Sequence, residues 1–129
     1  MNLFKWLTPK NGGVRSTVSG ENLENIRREW QNIAILVQGG QPSQLRNALI
    51  VADKTLDNAL KDIVRGENMG ERLKNARSKF DPVIYNKVWQ AHKMRNSLVH
   101  EAGYEPPHHM LKNGIEDLKI GLSKLGVIV

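Results

Sequence analysis

Cysteine is absent from all 129 residues. That excludes disulfides, thiolate catalysis and cysteine-ligated zinc, and it fits a reducing compartment. Nowhere does the chain approach the roughly 18 consecutive apolar residues of a membrane span, and the N-terminus lacks an apolar signal core. The expectation is a cytoplasmic protein with no transmembrane segment. There is no convincing run of strand alternation, no internal repeat and no low-complexity block. Also missing are a carboxylate pair near the candidate site, a glycine-rich phosphate loop and a P-loop lysine. Residues 1–20 hold Lys5, Lys10 and Arg15 with no acid except at their boundary, where Glu21 follows.

What is present reads as one domain, long enough for a real core. The net charge is +6. From Arg65 to Arg95 there are eight Lys or Arg against three acids, among them Arg72, Lys74, Arg77, Lys79 and Lys93. Such a basic surplus suits RNA or another polyanion as partner; the competing reading is a solvated helix face.

Helical periodicity organises most of the chain. Residues 1–19, with Asn11-Gly12-Gly13 and a Ser/Thr run, read as a flexible tail. Its Leu3, Phe4, Trp6 and Leu7 beside Lys5 and Lys10 suit a membrane surface or a partner's groove, although the segment is short for lipid binding. Residues 20–129 form the domain. Ser19 is the expected cap of a first helix, with a stripe of Leu23, Ile26, Trp30, Ile33 and Val37. Gly39-Gly40-Gln41-Pro42 ends it, and Ser43 is expected to cap a second helix reaching about Val64. Asp53 and Asp57 flank the apolar face of that helix. Asp57 faces Lys61 one turn on, and either acid can meet Arg95 or stay in water. A short helix is expected from about Met69 to Lys79, and a fourth helix from Asp81-Pro82 to about Glu101. The last, from about Pro107 to Leu125, places Gly114 and Gly121 on one flank, where another backbone is expected to pass close. The fold class is all-α: an antiparallel bundle of four main helices plus one short helix.

The end of the fourth helix stands apart from this pattern. At about 100° per residue, Ile84, Val88, Ala91, Leu98 and Val99 share one broad apolar face, with Arg95 in its middle. His92 and Asn96 lie within its span and His100 at its edge. An arginine aimed at a core is costly unless it meets a partner or a ligand. Arg95 and His100 are separated by about 7.5 Å of rise and roughly 140° of rotation, whereas Asn96 and His100 are one turn apart. Such a group suits a phosphodiester: arginine by bidentate contact, the amide by a hydrogen bond, the imidazole by moving protons near neutral pH. A structural polar network that fixes helix register is the competing reading. His92, His100, His108 and His109 fit the spacing of no common metal site, so no metal or other cofactor is expected. Trp30 and Trp89 read as core rather than as platforms for bases.

Arg95-Asn96-Ser97-Leu98-Val99-His100 resembles the motif of the HEPN superfamily, an arginine followed after four to six residues by histidine, with a polar residue just after the arginine. The basic helix before it, the turn into a last helix, Ala52-Asp53-Lys54-Thr55-Leu56-Asp57 and Gly70-Glu71-Arg72-Leu73-Lys74 are similar to small bacterial HEPN-like proteins. The resemblance spans roughly residues 21–126. It implies a helical bundle that forms a homodimer, and in the ribonucleases of that family a shared cleft that cuts RNA without metal. His100 would then be the acid/base, Arg95 would stabilise the phosphorane and Asn96 would orient the site, with His92 and Asp53 behind them. Arg72, Lys74, Arg77, Lys79 and Lys93 would hold the RNA. Two functions follow from the resemblance. One is a metal-independent endoribonuclease, such as the toxin of a toxin–antitoxin pair. The other is a non-catalytic module that binds nucleotide, nucleic acid or a partner protein such as an antitoxin or a nucleotidyltransferase.

Overall fold

Residues 14–129 are described in the computed structural model of the protein. Their helices are α1 (Gly20–Gly39), α2 (Pro42–Ile63), α3 (Met69–Asn75), α4 (Pro82–His100) and α5 (His108–Lys124), with one 3-10 turn at Arg77–Lys79. The described residues contain no strand, so the chain is an all-α bundle. None of these helices is long and apolar enough to cross a membrane.

α2 is the centre because its apolar residues recur on more than one side. Leu45, Ala48, Leu49, Ala52, Leu56, Ala59 and Leu60 are all fully buried, and α2 packs against α1, α3, α4 and α5. Its first turn is capped differently from the expectation at Ser43. Gln41 is the N-cap, and Pro42 occupies the first turn, where its missing N–H costs nothing. The Gln41 backbone N–H donates to Gln44 Oε1 at 3.1 Å, which satisfies one donor at the helix start. Gly40 closes α1 at φ 71°, a left-handed conformation that favours glycine.

α1 runs antiparallel to α2. Asn22 in its first turn donates to the Asn58 carbonyl (2.7 Å) and to Asp62 Oδ2 (3.1 Å) near the end of α2. Ser19 caps α1 by accepting from the Asn22 N–H. Trp30 belongs to the core: its indole N–H donates to Thr55 Oγ1 at 2.9 Å, and that hydroxyl donates on to the Ala52 carbonyl. No polar atom of this buried pair is therefore left without a partner.

Residues 14–19, expected as the end of the tail, lie against α2. The Arg15 N–H donates to the Asp62 carbonyl at 2.7 Å and the Ser19 N–H to Asp62 Oδ2 at 2.9 Å, while Val18 packs on the core. The Leu3-Phe4-Trp6-Leu7 cluster falls outside the described residues.

The short helix stops earlier than Lys79. Ala76 leaves helical geometry, and a 3-10 turn leads to Phe80 in the extended region. Pro82 holds only Asp81, the residue directly before it, in the extended region. Asp81 then caps α4 by accepting from the Ile84 N–H at 2.9 Å.

α4 and α5 are antiparallel neighbours, and α5 runs parallel to α2. A Cβ built on Gly114 would lie 2.9 Å from Leu49 of α2 and 3.8 Å from Ala91 of α4; one on Gly121 would lie 2.8 Å from Val88 and 3.7 Å from Leu56. What comes close at these glycines is side chains of the same chain, not the backbone expected to pass there. Both are buried against α2 and α4, so they lend nothing to a homodimer.

Candidate functional site

α4 is buried only through its middle and meets solvent at both ends, with Val83 of its first turn 61% exposed. Its buried residues are Val88, Ala91 and His92. Beyond His92 the face rises toward solvent: Arg95 keeps 35% of its side chain exposed, and Val99, expected on the buried face, is 47% exposed. The reason is that a helical angle specifies direction and not depth, and the last two turns of α4 run past the fully packed part of the bundle.

The buried charge of the site comes from α2. Asp53 is only 2% exposed. Its Oδ2 lies 3.0 Å from His92 Nδ1 and 3.9 Å from Arg95 Nε, so one carboxylate oxygen faces both side chains. Its Oδ1 has no donor among the described residues. A neutral His92 would donate from Nδ1 to the carboxylate and keep Nε2 as an acceptor. The Arg95 guanidinium also donates from NH1 to Asn96 Oδ1 at 3.0 Å. Arg95 is thus anchored at one end while a third of it stays in water.

Arg95, Asn96, His92 and Trp89 line a common cleft of about 480 Å³ with Asn68, Gly70, Asp57 and Arg72 from the neighbouring elements. Trp89 is half-buried there, with its ring edge-on to His92 at 5.9 Å and Lys93 Nζ 6.0 Å from its centroid. Trp89 packs on the core, as expected, and its remaining surface lines this cleft. Trp89, Asn68 and Gly70 were not singled out for this site by spacing. For Asn68 and Gly70, the only sequence signal was their place in the turn and first residues of α3.

Asp57 is not simply the i,i+4 partner of Lys61. Its main partner is Arg72, which donates from Nε to Oδ1 at 2.7 Å and from NH2 to Oδ2 at 3.0 Å, while Lys61 stands 4.0 Å away. Arg72 NH1 donates to the Gly66 carbonyl at 2.8 Å. All three guanidinium nitrogens are engaged, and the hydrogen bonds that Arg72 donates to Asp57 are the largest cause holding the arginine firmly protonated. Arg72 is therefore a tie between α3 and α2, not the free cation expected for RNA. Lys74, Arg77, Lys79 and Lys93 are exposed, with Arg77 placed over the Tyr85 ring at 5.3 Å.

His100 does not join Arg95. It lines a second cleft of about 460 Å³ with Arg46 of α2, Tyr104 and the turn after α4. Arg46 is a cation that spacing did not flag, because nothing in the sequence ties the start of α2 to the end of α4. Among the described residues, no three of His, Asp or Glu gather as metal ligands would.

No family model, curated protein or solved structure matches the chain.

Proposed function

We propose that the protein is an RNA-binding domain of HEPN type, and that the cleft around Arg95 seats a phosphate of the RNA. The observation that carries this reading is Arg95 itself: held by Asn96 and near the buried carboxylate of Asp53, yet one-third exposed in a cleft with His92 and Trp89. A guanidinium so placed offers donors to an anion without the full cost of burying a charge. Exposed Lys74, Arg77, Lys79 and Lys93 would draw the backbone in, and Trp89 offers a face beside the site.

The activity we assign is metal-independent endonucleolytic cleavage. The 2′-hydroxyl of the RNA loses its proton and attacks the adjacent phosphorus. The bond to the 5′-oxygen of the next nucleotide breaks, that oxygen takes up a proton, and a 2′,3′-cyclic phosphate remains. Arg95 would stabilise the phosphorane, Asn96 would orient it and His100 would move the protons. Pairing of two α4 ends in a homodimer is the arrangement this reading asks for. The protein would work in the cytoplasm, as the toxin of a toxin–antitoxin pair or beside a nucleotidyltransferase.

A second reading is a module that binds RNA or nucleotide and does not cut. One observation favours it: within a chain, His100 and Arg95 line different clefts.

Incubation of purified protein with a panel of RNAs in EDTA separates the two. Cleavage that survives EDTA, stops on 2′-deoxy substrates, leaves cyclic ends and falls on His100→Ala by the roughly 10²–10⁴-fold of lost acid–base catalysis supports the nuclease. Binding lost in Arg95→Ala, without cleavage by wild type, supports the module. No RNA or nucleotide affinity that depends on Arg95 would refute both.

A further inference from the structure

A groove of about 780 Å³ lies on another face of the bundle, between α1 and α5. Trp30, Ile33, Ala34 and Val37 of α1 and Ile115 of α5 give it an apolar lining, and Ile128, 65% exposed, stands at its margin. The α1 wall runs from Arg27 to Gln38. Eleven residues of rise make that wall about 16 Å long, or three helical turns. A trough of this length with apolar walls is the form that takes the apolar face of an amphipathic helix.

The polar margin selects among occupants. It carries Arg27, Lys112 and Lys119 against one acid, Glu116; none of the four forms an ion pair with another described residue, and Arg27 donates from Nε to the Ile128 carbonyl at 3.2 Å. The chain's own apolar segment outside the described residues, Leu3-Phe4-Lys5-Trp6-Leu7, has Lys5 and Lys10 nearby and no acid. It would bring more positive charge to a positive rim. A second copy, with net charge +6, meets the same objection if it uses this face symmetrically.

We propose that the groove between α1 and α5 docks an amphipathic helix of a partner protein whose polar flanks are acidic. The apolar face of the partner packs on Ala34, Val37 and Ile128, which stand open to solvent above the buried Ile33 and Ile115, and its carboxylates meet Arg27, Lys112 and Lys119. This site is separate from the Arg95 cleft, and the inference does not rest on the ribonuclease reading.

The test uses the full chain and two synthetic helical peptides of sixteen residues, one of Leu, Ala and Glu and its twin with Lys for Glu. Calorimetry and amide chemical shifts report affinity and place. The acidic peptide should bind at least tenfold more tightly than its twin and shift the amides of Ala34, Gln38 and Lys119. Ala34 is exposed, so Ala34→Arg should keep the fold and weaken binding tenfold or more. The double variant Lys112→Glu/Lys119→Glu should reverse the preference between the peptides. Equal affinity for the two peptides, no binding of either, or shifts centred on Arg95 instead would overturn the proposal. So would a dimer that Ala34→Arg dissociates, which assigns the groove to a second copy. A tenfold gain in peptide affinity on deleting residues 1–13 would assign it to the chain's own segment and overturn it as well.

Discussion

Truncating Asp53 to alanine tests whether the buried carboxylate is a structural ion pair or a lightly held charge at the foot of the site. Breaking a fully satisfied buried pair by removing one partner costs about 3–5 kcal/mol. Two features lower that figure here. Asp53 Oδ1 has no donor among the described residues, so its burial already carries a penalty of about 1–3 kcal/mol that truncation relieves. Arg95 stands 3.9 Å away with 35% of its side chain in water, so solvent takes over much of what the carboxylate supplied. What remains is the bond to His92, whose side chain is only 9% exposed. The net loss should be about 1–3 kcal/mol, nearly all of it through His92. Urea denaturation at pH 7 measures it as a drop in midpoint at constant slope. A double-mutant cycle then apportions the loss. Asp53 and His92 should couple by about 1–3 kcal/mol, and Asp53 and Arg95 by less than about 1 kcal/mol. A loss above about 4 kcal/mol, or equal coupling to His92 and Arg95, would refute the reasoning, because Arg95 would then be part of the structural pair and not free for an anion.

Two other perturbations read the fold. Gly121→Ala sets a helix-propensity gain of about 1 kcal/mol against overpacking of about 1–3 kcal/mol on buried Val88, whose methyl would stand 2.8 Å from the new Cβ. It should destabilise more than Gly114→Ala, where the atom in the way is the end of the longer Leu49 side chain; a rise in melting temperature for both would show that the helices are not so close. For pH, burial pushes the Asp62 carboxyl up, but hydrogen bonds from Ser19 and Asn22 and the charge of Arg15 outweigh it and hold it below the usual carboxylate range. Its contribution is therefore fully present above about pH 4 and is lost as pH falls through the lowered folded value, so the deficit of Asp62→Ala should shrink in acid and stay constant from about pH 5 to 7. Asp117 has the opposite sign: burial raises its carboxyl, Lys87 opposes that and Glu116 adds to it. Asp117→Asn should stabilise at neutral pH and lose that gain toward pH 4, and identical pH profiles for the two variants would contradict both assignments.

Much of the bundle was legible because its determinants are local. Ser19 and Asp81 each precede a run of helical period, and both cap as their side chains require. Leu45, Leu49, Ala52, Leu56 and Leu60 repeat with a spacing that only a helix can bury together. Gly114 and Gly121 marked a close approach, but spacing could not tell a neighbour in the same chain from one in another. Where an end depended on competition between local signals, the reading slipped. Ser43 is a good cap in isolation, yet Pro42 pre-sets the first turn one residue earlier and moves the boundary to Gln41. Arg72 and Asp57 lie fifteen residues apart on different helices, so their tie was invisible to any reading along a single face.

The same distinction explains the site. Spacing placed Arg95 on the core-facing side of α4, and by angle that is correct. Depth is set by where the neighbouring helices end, which no periodicity encodes. The residue that takes the buried position is His92, one turn earlier, and its partner Asp53 is 39 residues away on α2. Arg95 therefore faces the core from beyond its fully buried part. Complete burial would have made the guanidinium a structural ion, locked as Arg72 is locked by Asp57. Complete exposure would have left it a mobile surface cation with no fixed direction. One turn past His92, it stays within 3.9 Å of a buried carboxylate and 3.0 Å of an amide oxygen, yet remains open to water. That intermediate depth is what lets one arginine be both held in direction and available to an anion.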